Sequence, residues 1–341
     1  MSNIIGSGTS CSGFEIGVIS TSTVEHCFSL GMNKLRKGQI VSFDDDGNNI
    51  QSLGVRPNRY NPYCASTITI IKPIRTKTNI YAIDSSSVWL GQTDNGGIYA
   101  VKCGIAVASN YNRLHHYKVG PIIFYINDDT VRESGLDNRL ANIVLSDHDS
   151  AKKLIRVRTE RSIQFELAKV VNESIMLFDG SLKASVLEAR HQNIKDVIQC
   201  CSTNKNSLIA IAKETNLETI KNIYFSLSEC RSPAYIELDE YTKDIIGNPF
   251  GNNTLVKFGN RSSPILRADI IDPEETTGSA FGKLLGNDFL GLGYPESLRL
   301  AHYVSKFSAT EIECLRGYLL SEYKLQVAAA GNKRSTILGS M

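Results

Sequence analysis

The sequence lacks the cysteine patterns of zinc and redox proteins. Its 341 residues include eight cysteines, but no two of them have the spacing Cys-x-x-Cys. Zinc ribbons and thioredoxin-like redox sites depend on that spacing, so both classes are excluded. Scattered cysteines of this kind are typical of reduced, mostly buried thiols. We therefore expect an intracellular, cytoplasmic protein.

Patterns for membranes, nucleotides and strong charge are missing as well. Residues 1–13 are small and polar, and no apolar run approaches the length of a membrane span, so neither a signal peptide nor a membrane partner is expected. No G-x-x-x-x-G-K-[ST] loop is present, which excludes an ATP-driven motor of that type. The net charge is only +2, so any binding of nucleic acid would need a local basic patch.

Two apolar runs, in contrast, end in the same way. Tyr81-Ala82-Ile83 leads into Asp84, and the run from Ile175 to Phe178 leads into Asp179. Each run predicts a short buried strand with a carboxylate at its carboxyl end. Each aspartate alone could cap the turn that follows it. Because an unpaired carboxylate at a buried strand is costly, the pair indicates a divalent metal site if the two ends meet.

The order of predicted elements brings these two ends together. A meander of three strands, whose first strand ends at Asp84, leads into a helix over Ser150–Asn172. The strand that ends at Asp179 follows, then a helix over Leu182–Cys200 and a strand over Leu208–Ala212. This order is that of the ribonuclease H-like fold, in which the first strand and the strand after the first helix are neighbours. We predict an α/β protein with such a mixed sheet.

Three segments are predicted along the chain. Residues 1–62 have the pattern of a small β module, with Pro57 and Pro62 near its end. Residues 63–327 would form the ribonuclease H-like domain, which closes with two C-terminal helices. Residues 328–341 are rich in small and polar residues and predict a loose tail.

Further side chains could complete a metal site. Glu166 shares the apolar stripe of the predicted helix Ser150–Asn172, where a carboxylate needs a partner such as a metal ion. Glu160 on the same helix is the alternative, and a surface position at the edge of the stripe is the other reading of Glu166. Lys213 ends a predicted strand and could reach a phosphate. His302, taken alone, is typical of a core histidine.

A basic run occupies the same predicted helix. Arg156, Arg158 and Arg161 would form a solvated face in most proteins. Beside a cluster of carboxylates, they could instead offset the repulsion between the site and a nucleic-acid backbone.

Five short segments occur in the order found in NurA nucleases, and the chain resembles that family over roughly residues 79–306. The segments are Ile80–Ser86, Leu177–Leu182, Ile209–Lys213, Leu266–Ile270 and Gly293–His302. The resemblance implies a manganese-dependent DNA nuclease, with Mg²⁺ as an alternative and two ions in the site. It also implies a homodimer that cuts single-stranded DNA and degrades strands from 5′ to 3′. Members of this family work with the hexameric HerA translocase in resecting DNA ends during double-strand break repair.

The resemblance also assigns roles by position. Asp84 and Asp179 match the two metal-binding aspartates of the family, Glu166 resembles the glutamate between them, and His302 resembles the C-terminal histidine of the site. These four residues, with Lys213, are the predicted catalytic group. The predicted DNA-binding residues are Arg156, Arg158, Arg161 and Tyr294.

Two departures from the family pattern keep other functions open. The family has Asp-Gly-Ser at the first aspartate, whereas this chain has Asp84-Ser85-Ser86. Loss of that glycine favours, as an alternative, a family member without catalysis that guides DNA for a translocase. The β-rich segment Phe14–Arg59 resembles the small barrel at the start of HerA-type ATPases and would be a docking module. A branched-DNA resolvase with the same fold is a more distant alternative.

Overall fold

The computed structural model describes residues 32–43, 67–109, 113–213, 221–238, 243–244, 246–273 and 276–327. These residues form a mixed sheet with helices on both faces. Its strands, with a small hairpin, are β1 (Ile40–Ser42), β2 (Thr69–Ile70), β3 (Ile80–Thr93), β4 (Gly96–Ser109), β5 (Arg113–Asn127), β6 (Ile175–Asp179), β7 (Ser207–Ala212), β8 (Ala234–Glu237), β9 (Asn252–Lys257), β10 (Leu266–Ile271), β11 (Leu290–Gly291), β12 (Tyr294–Pro295) and β13 (Gln326–Val327). The α-helices are α1 (Asp128–Glu133), α2 (Asn138–Ser146), α3 (His148–Val170), α4 (Ile194–Thr203), α5 (Lys221–Ser228), α6 (Thr277–Asn287), α7 (Glu296–Ser305) and α8 (Ala309–Glu322).

The large sheet has the strand order β13-β1-β3-β6-β7-β10-β9-β8-β2, and β4 and β5 form a meander on β3. The pairs β3–β6 and β6–β7 are parallel, while β4, β5 and β8–β10 pair antiparallel. The helix α3 connects the meander to β6, as a parallel connection requires. The predicted mixed α/β architecture is therefore present.

Alternating residues of the central strands fill two cores. Tyr81 and Ile83 of β3 face one hydrophobic cluster, to which α3 contributes Leu154. Ile80 and Ala82 face the cluster on the other side of the sheet, which includes residues of α6 and α7. This alternation follows from the two-residue period of a strand. Burial on both faces explains the near-continuous apolar runs in the sequence.

Two predicted boundaries are wrong. Asp84 does not end a strand, because β3 continues through Ser85–Ser87 to Thr93. The predicted helix Leu182–Cys200 is also too long. Helix α4 begins only at Ile194, where the side chain of Asn193 accepts hydrogen bonds from the first turn and forms a capping box with Asp196.

The described part of the predicted N-terminal module belongs to the main sheet. Val41 of β1 pairs with Thr93 at the end of β3, and Ile40 pairs with Gln326 of β13. Most of residues 1–62 and the tail 328–341 lie outside the described residues, so the module and the tail stay predictions. Among the residues described, no helix is long and apolar enough to cross a membrane.

Candidate metal centre

The two aspartates lie side by side in the sheet. Ile83 of β3 pairs in parallel with Phe178 of β6, so the next residues of both strands, Asp84 and Asp179, stand at the same level. Pairing of β3 with β6 stops at Ile83 and Phe178, so the two carboxylates lie where the strands separate. Asp84 is buried, whereas Asp179 is partly exposed. The adjacency predicted from the order of elements is therefore found in the structure.

His302 joins the aspartates from helix α7. Its Nδ1 lies 2.6 Å from Asp84 Oδ2, and Ser305 Oγ, one turn later, donates to the same oxygen at 3.4 Å. The helix can approach because the residue opposite Asp84 on β4 is Gly104. A Cβ built on Gly104 would lie 2.2 Å from the carbonyl oxygen of Ala301. A strand glycine at this contact lets the backbone of α7 rest directly on the sheet.

Asp84, Asp179 and His302 form a group suited to a cation. One ligand atom from each residue can be chosen so that all three lie within 4.8 Å of one another. Tyr294 lies beside them, and burial, aided by the charges of Asp179 and Asp84, raises the pKa of its hydroxyl. That hydroxyl is buried and has no hydrogen-bond partner among the described residues. Two carboxylates and an imidazole beside such an unpaired hydroxyl fit a divalent ion of the Mn²⁺ type.

Lys213 is placed at the same opening. Its Nζ donates to Asp179 Oδ2 at 2.7 Å and lies 5.3 Å from the centre of the Tyr294 ring. Its side chain remains exposed. An exposed cation beside an aspartate of the group can contact an incoming phosphate.

The structure places Glu160, rather than the preferred Glu166, beside Ser85, the residue that follows Asp84. Ser85 Oγ, on the residue after Asp84, donates to Glu160 Oε2, and Gln164 Nε2 donates to Glu160 Oε1 at 3.0 Å. Burial raises the pKa of Glu160, and the charge of Asp84 adds to this effect. Glu166 instead accepts from Lys169 at 3.1 Å on the outer part of the helix.

The direction of α3 explains why Glu160, and not Glu166, lies beside Ser85. The helix runs back across the sheet to deliver the chain to the start of β6, while the aspartates lie at the level where β6 ends. Six residues of helix span about 9 Å. Glu160 therefore stands near the end of β6, and Glu166 stands nearer its beginning.

Among the predicted DNA-binding arginines, Arg156 is exposed. Arg158 is buried and donates to the carbonyl oxygens of Leu187 and Ser134 at 3.0 and 2.9 Å. Its guanidinium thus joins the loops around α3, and the prediction that it faces DNA is wrong. Arg161 pairs with Glu188 at 2.7 Å, so its charge is also largely neutralised within the protein.

A family model described as the NurA domain matches residues 78–307, which is more than half of the chain. The chain belongs to the NurA family. The matched range contains Asp84, Asp179 and His302 and also the five segments that carried the resemblance. The resemblance to that family is therefore confirmed for this chain.

Solved structures similar to this NurA protein include two NurA structures and one of endonuclease V. The NurA nuclease from Sulfolobus solfataricus is 15% identical, with a TM-score of 0.46 and coverage of 75% of this chain and 88% of that one. A structure of NurA with manganese is 11% identical, with a TM-score of 0.42 and coverage of 74% and 91%. Endonuclease V from Ciona intestinalis, in complex with inosine-containing DNA, is 11% identical, with a TM-score of 0.38 and coverage of 71% and 92%. No curated protein matches this chain significantly.

One residue that supports the site was missed in the sequence: Asp288, which holds the start of α7, the helix that carries His302. Asp288 is buried just before the hairpin β11–β12, and it accepts from the backbone N–H of Ser297 at 3.3 Å and from its hydroxyl at 2.5 Å. This carboxylate satisfies the first turn of α7, five residues before His302. Burial raises the pKa of Asp288 to about 6. The signal in the sequence was an aspartate shortly before a Pro-Glu-Ser helix start.

Proposed function

We propose that this NurA protein is a manganese-dependent DNA nuclease, with Mg²⁺ as a weaker alternative. The observation that carries the proposal is the convergence of Asp84, Asp179 and His302, which offer ligand atoms within 4.8 Å of one another. The mixture of carboxylate and imidazole ligands favours manganese, because imidazole suits transition metals better than magnesium or calcium. Two ions are proposed, as in other two-metal phosphodiester hydrolases.

The residues of the chain support this chemistry in distinct ways. Asp84, Asp179 and His302 would hold the metal, and Glu160 would complete the site from α3. A bound metal supplies a water of lowered pKa and positive charge for the leaving oxygen. Lys213 would contact a phosphate oxygen beside Asp179, and the Tyr294 ring, 5.3 Å from Lys213 Nζ, would lie beside the same substrate.

The proposed substrate is single-stranded DNA, cut internally and degraded from 5′ to 3′, and the setting is the resection of DNA ends. Arg156 is exposed on α3 one turn before Glu160, where its charge would attract the DNA backbone. A homodimer and a hexameric HerA-type ATPase are the proposed partners, and family membership supports both.

The test compares the parent with Asp84→Asn and Asp179→Asn. Digestion of single-stranded DNA with manganese should fall by at least about a hundredfold in both variants, because each loses a charged ligand. Asp128→Asn is a matched control, since Asp128 is an exposed aspartate that pairs with Arg132 on the short helix α1. Equal cleavage by all four proteins would contradict the assignment of the site.

Manganese binding separates this function from a non-catalytic guide. The replacement of the family glycine by Ser85 is the observation that favours the second candidate. Calorimetry should show manganese binding that is lost in Asp84→Asn. Manganese binding that does not depend on Asp84, together with unchanged assembly with a translocase, would favour the non-catalytic guide.

A further inference from the structure

A buried carboxylate outside the metal group organises the segment that follows Asp179. Asp269 on β10 is fully buried. Its Oδ2 accepts from Ser181 Oγ at 2.7 Å and from the backbone N–H of Leu182 at 3.0 Å. Its Oδ1 accepts from Asn253 Nδ2 at 2.9 Å, and Arg267 Nε lies 3.5 Å away. Oδ2 of Asp269 thus binds the segment that follows Asp179, and Oδ1 binds Asn253 on the neighbouring strand β9.

These contacts cross the sheet. Ala210 of β7 pairs with Phe178 on one side and with Asp269 on the other, so Asp269 lies two strands from β6. The segment Gly180–Leu182 must therefore pass over the end of β7 to reach it. Gly180 permits this turn with φ of +109°, a conformation that L side chains rarely adopt, and donates its N–H to Ile211 O at 2.8 Å.

The backbone of Asp179 is held before it by strand β6 and after it by this segment, while Lys213 contacts its carboxylate. We infer that Asp269 is a positioning residue, which fixes the direction of the Asp179 carboxylate through Ser181 and Leu182 and thereby sets the affinity of the metal centre. The inference rests on the proposed function, because it takes Asp179 as a metal ligand. Outer residues that orient metal ligands commonly change metal affinity by about 10- to 100-fold.

A purely structural role would make a different prediction, and the chain offers a matched control. Asn206 is also fully buried, and it accepts from the backbone N–H of Ser174 at 3.1 Å and donates to Val171 O at 2.7 Å. These bonds hold the beginning of β6, whereas those of Asp269 hold the segment after its end. Loss of either side chain should lower stability, but only loss of Asp269 should alter metal binding.

The variants are Asp269→Ala, Asp269→Asn, Ser181→Ala and Asn206→Ala. The asparagine keeps one oxygen for Ser181 and Leu182, and its amide can face Asn253, whose Oδ1 has no partner among the described residues. It should therefore restore most of the metal affinity. Ser181→Ala removes a single bond and keeps the protein foldable if Asp269→Ala does not fold.

Two measurements test the inference on the full chain. Manganese affinity by calorimetry should fall about tenfold or more in Asp269→Ala, less in Ser181→Ala, and less than about twofold in Asn206→Ala and Asp269→Asn. Hydrogen exchange without metal should quicken at Leu182 in Asp269→Ala and at Ser174 in Asn206→Ala. If Asp269→Ala does not fold, an unchanged affinity in Ser181→Ala overturns the inference.

The outcomes separate this inference from the proposed function. Equal manganese affinity in the parent and Asp269→Ala, or equal losses in Asp269→Ala and Asn206→Ala, overturns the inference. Unchanged exchange at Leu182 also overturns it, whether or not the parent binds manganese. If the parent binds no manganese but exchange at Leu182 quickens in Asp269→Ala, the metal centre is refuted, while the role of Asp269 in holding the segment after Asp179 is supported.

Discussion

Gly104 offers the most direct perturbation of the metal centre that leaves its ligands in place. It lies opposite Asp84 on β4, directly beneath α7. A Cβ at Gly104 would lie 2.2 Å from Ala301 O and 3.0 Å from the backbone nitrogen of Ser305. Because both contacts are with helix backbone, no side chain can rotate away. In Gly104→Ala, helix α7 must therefore move away from the sheet.

The size of the movement follows from these distances. A carbon and an oxygen in contact normally lie about 3.3 Å apart. The added Cβ would lie 2.2 Å from Ala301 O, so Ala301 must move away by about 1.1 Å. His302 is the next residue, and its 2.6 Å contact with Asp84 would open by a similar amount. Overpacking of this kind costs about 1–3 kcal/mol of stability. A displacement of about 1 Å at a catalytic site can cost about a hundredfold in rate.

The assay combines manganese-dependent cleavage of single-stranded DNA with urea unfolding. Gly104→Ala should lose about a hundredfold in kcat and about 1–3 kcal/mol in the free energy of unfolding. Gly317→Ala is the control, because Gly317 lies on the exposed side of α8 with no atom within 4 Å of an added Cβ. It should gain up to about 1 kcal/mol from helix propensity and keep full activity. Parent-like activity and stability in Gly104→Ala would refute the close packing of α7.

Two other predictions follow from buried carboxylates. The pKa of Asp288 in the folded protein is about 6, above its ordinary 3.8, so the folded state binds more protons and its unfolding free energy should fall by about 3 kcal/mol as the pH rises from about 4 to above 6. Urea unfolding across this range should show that fall in the parent relative to Asp288→Asn; parallel curves would contradict it. Glu160→Gln should reduce manganese-dependent cleavage at least about tenfold, whereas Glu166→Gln, on the same helix, should lose less than about 1 kcal/mol of stability and no activity. The opposite ranking in a cleavage assay would restore Glu166 as the third carboxylate.

The sheet and the two aspartates were predictable because they depend on local patterns. Asp84 and Asp179 each follow a run of apolar residues that is buried on both faces, and such runs mark central strands. The order of elements then places β3 beside β6, and a parallel register brings the two residues to the same level. The continuation of β3 was not predictable in this way, since Ser85, Ser86 and Ser87 resemble a turn in sequence. In the structure, Ser85 and Ser86 donate to Glu160 and to Ser305 O, contacts that only the folded chain provides.

The sequence did not decide between Glu160 and Glu166 for a different reason. Both lie on the same helix, and periodicity alone cannot show which turn of a helix reaches a given edge of the sheet. The connection does contain that information, because a helix between two parallel strands must run opposite to them. Residues late in α3 then lie near the beginning of β6, far from Asp179. Combining topology with the period of 3.6 would have favoured Glu160.

The folded chain gives a structural role to Ser85, which replaces the glycine of the family pattern. Glycine at this position would leave Glu160 with one fewer donor, whereas the Ser85 hydroxyl joins Glu160 to the residue beside Asp84. Its backbone N–H also donates to Asp84 Oδ1 at 2.8 Å, so one residue orients both carboxylates. The strand continues through Ser85 without a backbone conformation that requires glycine. The replacement therefore adds a hydrogen bond between Glu160 and the residue beside Asp84, which weakens its support for a non-catalytic guide.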